Sequence, residues 1–194
     1  MERRLAPIFA SLLLMSAGFP AEAHTGAGAA HGYSNGLLHP LTGVDHVLVM
    51  LGVGLWGGAL GGRSRWLLPF IFLTMMAAGA GLDFSGMSLR TPEAWIAVSV
   101  LALGLILCCG RQAQAGWAAC LAAVFALGHG YVHAREISAG VDVFPYVAGF
   151  LSSTALLLGL GMSFSQMPSA RFKIVKTTWG LVSAVVGAAL LIGA

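Results

Sequence analysis

The sequence predicts an all-α, polytopic membrane protein with six transmembrane helices that follow a cleaved signal peptide. Composition is the first observation: of the 194 residues, 58% are apolar and only 9% are charged, whereas a soluble domain typically carries about a quarter charged residues. The mean hydropathy of +0.86 agrees with this class. The second observation is that apolar residues fall into separate runs, most of about 17–25 residues, the length that a tilted transmembrane helix needs.

The N-terminus has the three parts of a secretory signal peptide. Residues 3–4 (Arg-Arg) are positive, residues 5–18 form a short apolar run, and residues 21–23 (Ala-Glu-Ala) form a small-x-small cleavage site. We expect residues 1–23 to be removed, which leaves residues 24–194 as one six-helix transmembrane domain. An uncleaved first transmembrane helix is the alternative, but the apolar run is shorter than the roughly 20 residues that a span requires.

Six spans follow in the mature chain, separated by loops that contain Gly, Pro, Ser and Arg. They are predicted at Val44–Leu60, Trp66–Leu82, Glu93–Cys109, Ala113–His133, Val143–Phe164 and Ile174–Ile192. Loops on the cytoplasmic side of a membrane carry an excess of Lys and Arg. With the mature N-terminus outside, six basic residues lie at the cytoplasmic ends and two, Arg90 and Arg135, lie at the opposite ends. We therefore predict a multi-pass protein of the bacterial inner membrane with a periplasmic N-terminus.

Every carboxylate of the mature chain is predicted at the outer, periplasmic face, together with all six histidines. The five carboxylates are Asp45, Asp83, Glu93, Glu136 and Asp142. A surface of carboxylates and imidazoles attracts cations, and ionisable groups at the edge of a bilayer usually mark a pathway or a site. The outer face is therefore where we expect a ligand to bind.

The first histidine cluster lies at the start of the first span and contains His39, Asp45 and His46. His39 and His46 are seven residues apart, which puts them on one helical face if the helix starts early enough. Asp45 can bind a metal itself or orient an imidazole through a hydrogen bond. Imidazoles and carboxylates together suit a divalent transition metal.

The second cluster ends the fourth span with His129, His133 and Glu136. The i, i+4 spacing of the histidines lets one helix present two imidazoles to one ion, and Glu136 returns to the face of His129 if the helix persists. Two such clusters at the same end of different spans predict one shared metal site, whereas the alternative is two unrelated sets of interfacial histidines. Candidate auxiliary ligands at the same face are His24, His31, Asp83 and Asp142.

Three blocks of the chain carry a family pattern. They are His39-Pro40, Gly43, Asp45-His46 with residues 50–56; residues 125–127 with His129-Gly130, His133 and Glu136; and, more loosely, Tyr146, Gly149-Phe150 and Thr154-Ala155. Together they resemble the HupE/UreJ family over nearly the whole mature chain. The resemblance implies a small membrane permease for nickel, sometimes cobalt, of the kind often encoded beside hydrogenase or urease, whose motif histidines and acids carry the metal. One departure is Leu158, in a run of leucines where the family usually has a histidine.

The clusters and the resemblance predict a secondary permease that imports Ni²⁺ or Co²⁺ from the periplasm to support hydrogenase or urease metallation, and not an enzyme. No prosthetic group is expected. The expected partners are the divalent ion and the lipid bilayer, not nucleic acid, and Gly54, Gly58 and Gly62 form a small-xxx-small run through which a homo-oligomer can pack.

Two alternatives stay open at this stage. One is a membrane metalloenzyme with a catalytic zinc, although no span combines paired histidines with the internal glutamate of a His-Glu-x-x-His motif. The other is haem binding by facing histidines, against which the neighbouring acids favour a bare cation.

Overall fold

The computed structural model describes residues 32–109, 114–137 and 140–193. Regular structure in these ranges is helical. It comprises α1 (Gly32–Thr42), α2 (Val44–Leu60), α3 (Ser64–Phe84), α4 (Pro92–Cys109), α5 (Ala115–Arg135), α6 (Val143–Ser163), a 3₁₀ turn (Phe164–Gln166) and α7 (Ser169–Gly193). The predicted signal peptide, His24 and His31 lie outside the described residues.

Five helices, α3 to α7, are long and apolar enough to cross a membrane, and α1 with α2 makes a sixth if that bent pair is one span. The prediction of an all-α polytopic membrane protein is therefore confirmed for the described part of the chain, while the count of six spans and the signal peptide stay predictions. The observed bounds of α2 equal the predicted bounds of the first span, whereas those of the other five spans differ from the prediction by a few residues. α7 begins at Ser169 rather than Ile174, because its first turns are basic and lie outside the apolar run.

A break at Gly43 separates α1 from α2. Gly43 is extended, with φ −88° and ψ 121°, and the two helices are bent by 81° with respect to each other. His39 and His46 therefore lie on two different helices, and the condition for their sharing one helical face is not met. Gly43 also makes room for the site, because a Cβ at this position would collide with the imidazole of His46.

Helix α2 forms the centre of the bundle. Eleven of its 17 residues are buried, and it packs on α3, α4, α6 and α7. Trp179 of α7 anchors it through a hydrogen bond of 3.0 Å from Nε1 to the carbonyl of Leu48. Asp45 and His46 of the first histidine cluster thus stand on the most enclosed of the described helices.

Glycines let the helices approach closely in pairs, as small residues do in membrane bundles. A methyl group added to Gly79 of α3 would meet the Leu127 carbonyl of α5, and one added to Gly130 of α5 would meet the Met76 carbonyl of α3. The same reciprocal contact joins α1 to α6, α2 to α6 and α4 to α7. The glycines of these three contacts are Gly36 and Gly149, Gly54 and Gly161, and Gly104 and Gly180. Gly54 of the predicted oligomerisation run therefore packs within the chain, and a homo-oligomer remains a prediction.

The two ends of the bundle differ in charge, because the acidic residues and most of the basic residues lie at opposite ends of the helices. One end, called the acidic end below, holds Asp45, Asp83, Glu93, Glu136 and Asp142. The other end, called the basic end, holds Arg63, Arg65, Arg171, Lys173 and Lys176. The residues of both histidine clusters lie on the half of the bundle nearer the acidic end.

Candidate metal site

Two helix ends and one helix start converge at the acidic end. His39 lies in the last turn of α1, His46 lies in the first turn of α2, and His133 lies in the last turn of α5 with Glu136 directly after it. Each of these four residues offers one ligand atom, and the four atoms lie within 4.8 Å of one another. The structure thus brings together residues from both sequence clusters, and we call this set the four-ligand cluster.

The distances within the four-ligand cluster suit a small cation. Nδ1 of His133 lies 3.3 Å from Nε2 of His39, 3.1 Å from Nε2 of His46 and 2.9 Å from Oε2 of Glu136. Oε2 of Glu136 is also 3.1 Å from Nε2 of His39. Two ligands bound at about 2.0–2.1 Å to one ion, at right or tetrahedral angles, are about 2.9–3.4 Å apart. Four of the six distances between these atoms match those of ligands on one ion, and the other two lie within 4.8 Å, so a divalent transition metal fits once the ligand atoms adjust their positions.

Asp45 acts on the cluster through His46. Its Oδ1 accepts a hydrogen bond of 2.8 Å from Nδ1 of His46, so the neutral imidazole keeps its lone pair on Nε2, the atom that faces His133. Such a carboxylate–histidine pair fixes the tautomer and the orientation of a metal ligand. Asp45 is therefore a positioning residue in this geometry.

The electrostatics of the acidic end favour a cation. The C-terminal ends of α1 and α5 meet at the cluster, and their two partial negative charges outweigh the one partial positive charge of the α2 N-terminus. Burial raises the pKa of Glu136, but hydrogen bonds with His133 and His39 more than offset burial and hold that pKa well below its ordinary value. The cluster therefore includes a carboxylate that stays ionised at neutral pH.

Exposure falls stepwise from the surface into the cluster. The side chain of Glu136 is 46% exposed, that of His39 is 17% exposed and that of His133 is 4% exposed. A hydrated ion thus meets the carboxylate before it meets the enclosed imidazoles.

His129 lies apart from the four-ligand cluster. Its ring centroid is 6.1 Å from those of His46 and His133, whereas the rings of His46 and His133 are 3.9 Å apart. Nδ1 of His129 donates a hydrogen bond of 2.9 Å to the Phe125 carbonyl. The i, i+4 pair on α5 is therefore present, but in this arrangement only His133 contributes a ligand atom to the cluster.

The described auxiliary candidates have other partners. Asp83 lies 3.8 Å from Nε of Arg135, and Asp142 caps α6 by accepting a hydrogen bond from the backbone of Phe144. Leu158 is buried beside Gly54, about 22 Å along α6 from its first residue at 1.5 Å per residue. An imidazole at position 158 would lie too deep in the bundle to join the four-ligand cluster.

An aromatic wall beside the cluster is formed by Tyr146 and Phe150, which the third block of the family pattern contains without predicting a place for them at the site. The ring of Phe150 lies 4.8 Å from that of His133 and 5.9 Å from that of His39. The ring of Tyr146, one turn earlier on α6, lies 6.0 Å from that of His39. The i, i+4 spacing of two aromatic residues was the available signal, since it places both on one helical face.

A bundle of apolar helices with a histidine–carboxylate cluster at one end defines a polytopic membrane protein with a candidate cation site. The chain matches the HupE / UreJ protein family over residues 12–190. It is 37% identical to Protein HupE of Rhizobium leguminosarum bv. viciae over 183 residues. This alignment covers 93% of this chain and 95% of that protein. No solved structure matches the chain.

The chain therefore belongs to the HupE/UreJ family, and the predicted resemblance is confirmed. This is a family of membrane proteins associated with nickel and cobalt transport, and not of enzymes. The membrane-metalloenzyme alternative is set aside on that ground.

Proposed function

We propose that the protein is a secondary permease of the inner membrane that imports Ni²⁺, or Co²⁺, from the periplasm and so supports hydrogenase or urease metallation. The observation that carries the proposal is the four-ligand cluster, in which Nδ1 of His133 lies within 3.3 Å of ligand atoms from His39, His46 and Glu136. Three imidazoles and one carboxylate suit a borderline transition metal, whereas Mg²⁺ and Ca²⁺ favour oxygen ligands.

The cluster performs three steps on the incoming ion. The exposed carboxylate of Glu136 attracts the hydrated cation and replaces part of its water shell. His39, His46 and His133 then bind through nitrogen lone pairs. Nδ1 of His133 must first give up the proton that it donates to Oε2 of Glu136, which passes to water or to Nε2 of the same ring, because a metal binds deprotonated ligand atoms. The ion is thereby drawn from the exposed side of the cluster to its buried side.

The inward direction is supported by the ordering of charge and exposure. The acidic end is the predicted periplasmic face, since the basic residues that favour the cytoplasm lie at the other end. The sequence contains no phosphate-binding loop, which favours secondary transport by this chain over transport driven by its own ATP hydrolysis.

The test is uptake of radioactive nickel by cells that carry the wild type or His133→Gln. His133 contacts the other three ligands of the cluster. Its loss is expected to reduce nickel uptake by more than the roughly 10–100-fold that loss of a residue supporting a metal ligand costs. Excess unlabelled Co²⁺ should compete with nickel, and excess Mg²⁺ should not.

Thr74→Ala is the matched control, because among the described residues the Thr74 hydroxyl bonds only to carbonyls of its own helix. This variant should transport nickel at the wild-type rate. Uptake by His133→Gln at the wild-type rate, at equal protein levels in the membrane, would contradict the proposed function.

A further inference from the structure

A small cavity beside the four-ligand cluster is lined by residues of α3, α5 and α6 and by Ile137, which follows α5. The cavity has a volume of about 20 Å³, and its lining is apolar except for His133 of α5 and Tyr146 of α6. Both residues are buried, with His133 3% exposed and Tyr146 6% exposed. The cavity therefore joins a ligand of the cluster to a residue of the aromatic wall.

Each of these two residues carries a buried polar atom that has no hydrogen-bond partner among the described residues. The atoms are Nε2 of His133 and the Tyr146 hydroxyl oxygen. Buried polar atoms are normally paired, and leaving one unpaired is costly. A phenylalanine would fill the position of Tyr146 without that cost, as Phe150 does one turn later on the same helix, so the hydroxyl needs an explanation.

The cavity is suited to one water molecule that pairs with both atoms. A cavity holds a water when it offers at least about 10–15 Å³ and the water finds two to four polar partners. This cavity has room for about one water, and His133 and Tyr146 supply two partners. Cavities with a wholly apolar lining stay dry, so these two residues are what makes this cavity a water site.

His133 needs a partner at Nε2 that can both donate and accept. Without an ion, Nδ1 donates to Oε2 of Glu136 at 2.9 Å, so Nε2 of the neutral ring carries a lone pair. With an ion bound at Nδ1, the ring proton resides on Nε2, because the metal takes the other lone pair. The ring is neutral in both cases, yet Nε2 changes from acceptor to donor. Water and a tyrosine hydroxyl can each do both, whereas an ionised carboxylate only accepts.

We infer that Tyr146 is a positioning residue, which holds one water molecule in this cavity and through it supports Nε2 of His133. This inference rests on the proposed function. Asp45 selects one tautomer of His46, because its carboxylate accepts from Nδ1 at 2.8 Å. Tyr146 and the water instead follow the tautomer change of His133 by reversing the direction of their hydrogen bonds. His133 thereby becomes a metal ligand without a buried, unpaired N–H.

Tyr146→Phe removes the hydroxyl and keeps the ring. Titration of Ni²⁺ into the detergent-purified full chain should show a fall in affinity of about 10-fold, the lower end of what loss of a residue supporting a metal ligand costs, because the hydroxyl acts through a water. Tyr33→Phe is the matched control, since Tyr33 is 48% exposed on α1, and its nickel affinity should equal that of the wild type. Thermal unfolding without nickel should be nearly the same for all three proteins, because both variants keep the aromatic ring.

Two results of these measurements would overturn the role of Tyr146. One is an unchanged nickel affinity in Tyr146→Phe, and the other is a loss of affinity that comes with a lower unfolding temperature, which would assign the hydroxyl to packing. If His133→Gln still loses nickel uptake in either case, only the role of Tyr146 fails. If His133→Gln keeps full uptake, the proposed function itself fails.

A structure of the nickel-bound wild type that resolves ordered waters tests the same inference without any variant. One water is expected within about 2.5–3.2 Å of both Nε2 of His133 and the Tyr146 oxygen, the range of hydrogen bonds. A dry cavity would exclude the water bridge. A Tyr146 oxygen bound directly to the ion would make Tyr146 a ligand and would likewise overturn its positioning role.

Discussion

The acidic end and the basic end of the bundle both carry ionisable side chains, but they use them differently. At the acidic end, four contacts of 2.9–3.3 Å join the ligand atoms of His39, His46, His133 and Glu136. At the basic end, Nη2 of Arg65 donates to Ser165 at 2.9 Å, and Nζ of Lys176 donates to the Leu107 carbonyl. The basic side chains of Arg65 and Lys176 thus hold neighbouring helices together, whereas the ligand atoms at the acidic end contact one another.

The difference shows which end can take up an ion. Nη2 of Arg65 and Nζ of Lys176 already meet acceptors on neighbouring helices, and the basic end has no carboxylate among the described residues, so it has no deficit of positive charge. Ligand atoms at the acidic end are mostly acceptors, and they can approach so closely only when a proton or a metal lies between them. A bound cation would therefore satisfy the acceptor atoms at the acidic end, whereas the basic end has no such group of acceptors.

The largest effect among the variants that keep the four-ligand cluster is expected for Asp45→Asn. The amide can donate as well as accept, so it no longer selects the His46 tautomer that presents the lone pair of Nε2, and loss of such an outer partner typically costs about 10–100-fold in metal affinity. Titration of Ni²⁺ into the purified protein measures this loss.

Asp83→Asn at the same end serves as the comparison. Asp83 pairs with the half-exposed Arg135, and an exposed ion pair contributes only about 0–1 kcal/mol, so we expect a much smaller loss of affinity. Equal losses in both variants would make Asp83 a ligand, as its auxiliary role predicts, and would remove the special role of Asp45.

A smaller effect is expected for Gly149→Ala, which acts from outside the cluster. The added methyl would collide with the Tyr33 carbonyl of α1, and overpacking costs about 1–3 kcal/mol. Relief of the clash moves α1 and with it His39, so nickel affinity should fall by roughly 5–30-fold, the factor that one or two kcal/mol represents.

Gly159→Ala is the matched control on the same helix, because an added methyl there meets no atom of the described chain within 4 Å. Its nickel affinity should equal that of the wild type. Equal affinities for Gly149→Ala and the wild type would show that α1 docking does not control the position of His39.

The smallest effect on nickel binding is expected at the basic end. Ser165→Ala removes the acceptor of Arg65 and should cost about 0.5–1.5 kcal/mol of stability, the net worth of one hydrogen bond. Thermal unfolding in detergent measures the stability, and titration should show an unchanged nickel affinity. A loss of affinity comparable with that of Asp45→Asn would mean that the two ends are not independent.

The sequence predicted the spans well because apolar runs of sufficient length leave few alternatives in a membrane. It also placed both histidine clusters at one end, since the alternation of spans fixes the end at which each residue lies. It did not predict α1, because residues 32–42 lack a long apolar run and the break depends on the extended backbone of Gly43. It also grouped His129 with His133 from their spacing, whereas the hydrogen bond to Phe125 orients the His129 ring separately.

The single extended residue between α1 and α2 has a consequence for how the cluster is assembled. His39 is carried by a short helix that rests on α6 through Gly36 and Gly149, while His46 and His133 stand on the long helices. Docking of α1 and occupancy of the cluster are therefore thermodynamically linked: whatever free energy docking adds to ion binding, the ion returns to docking. Hydrogen exchange in the backbone of α1 should accordingly slow when nickel is bound, so the exchange rate of this short helix measures the occupancy of the cluster.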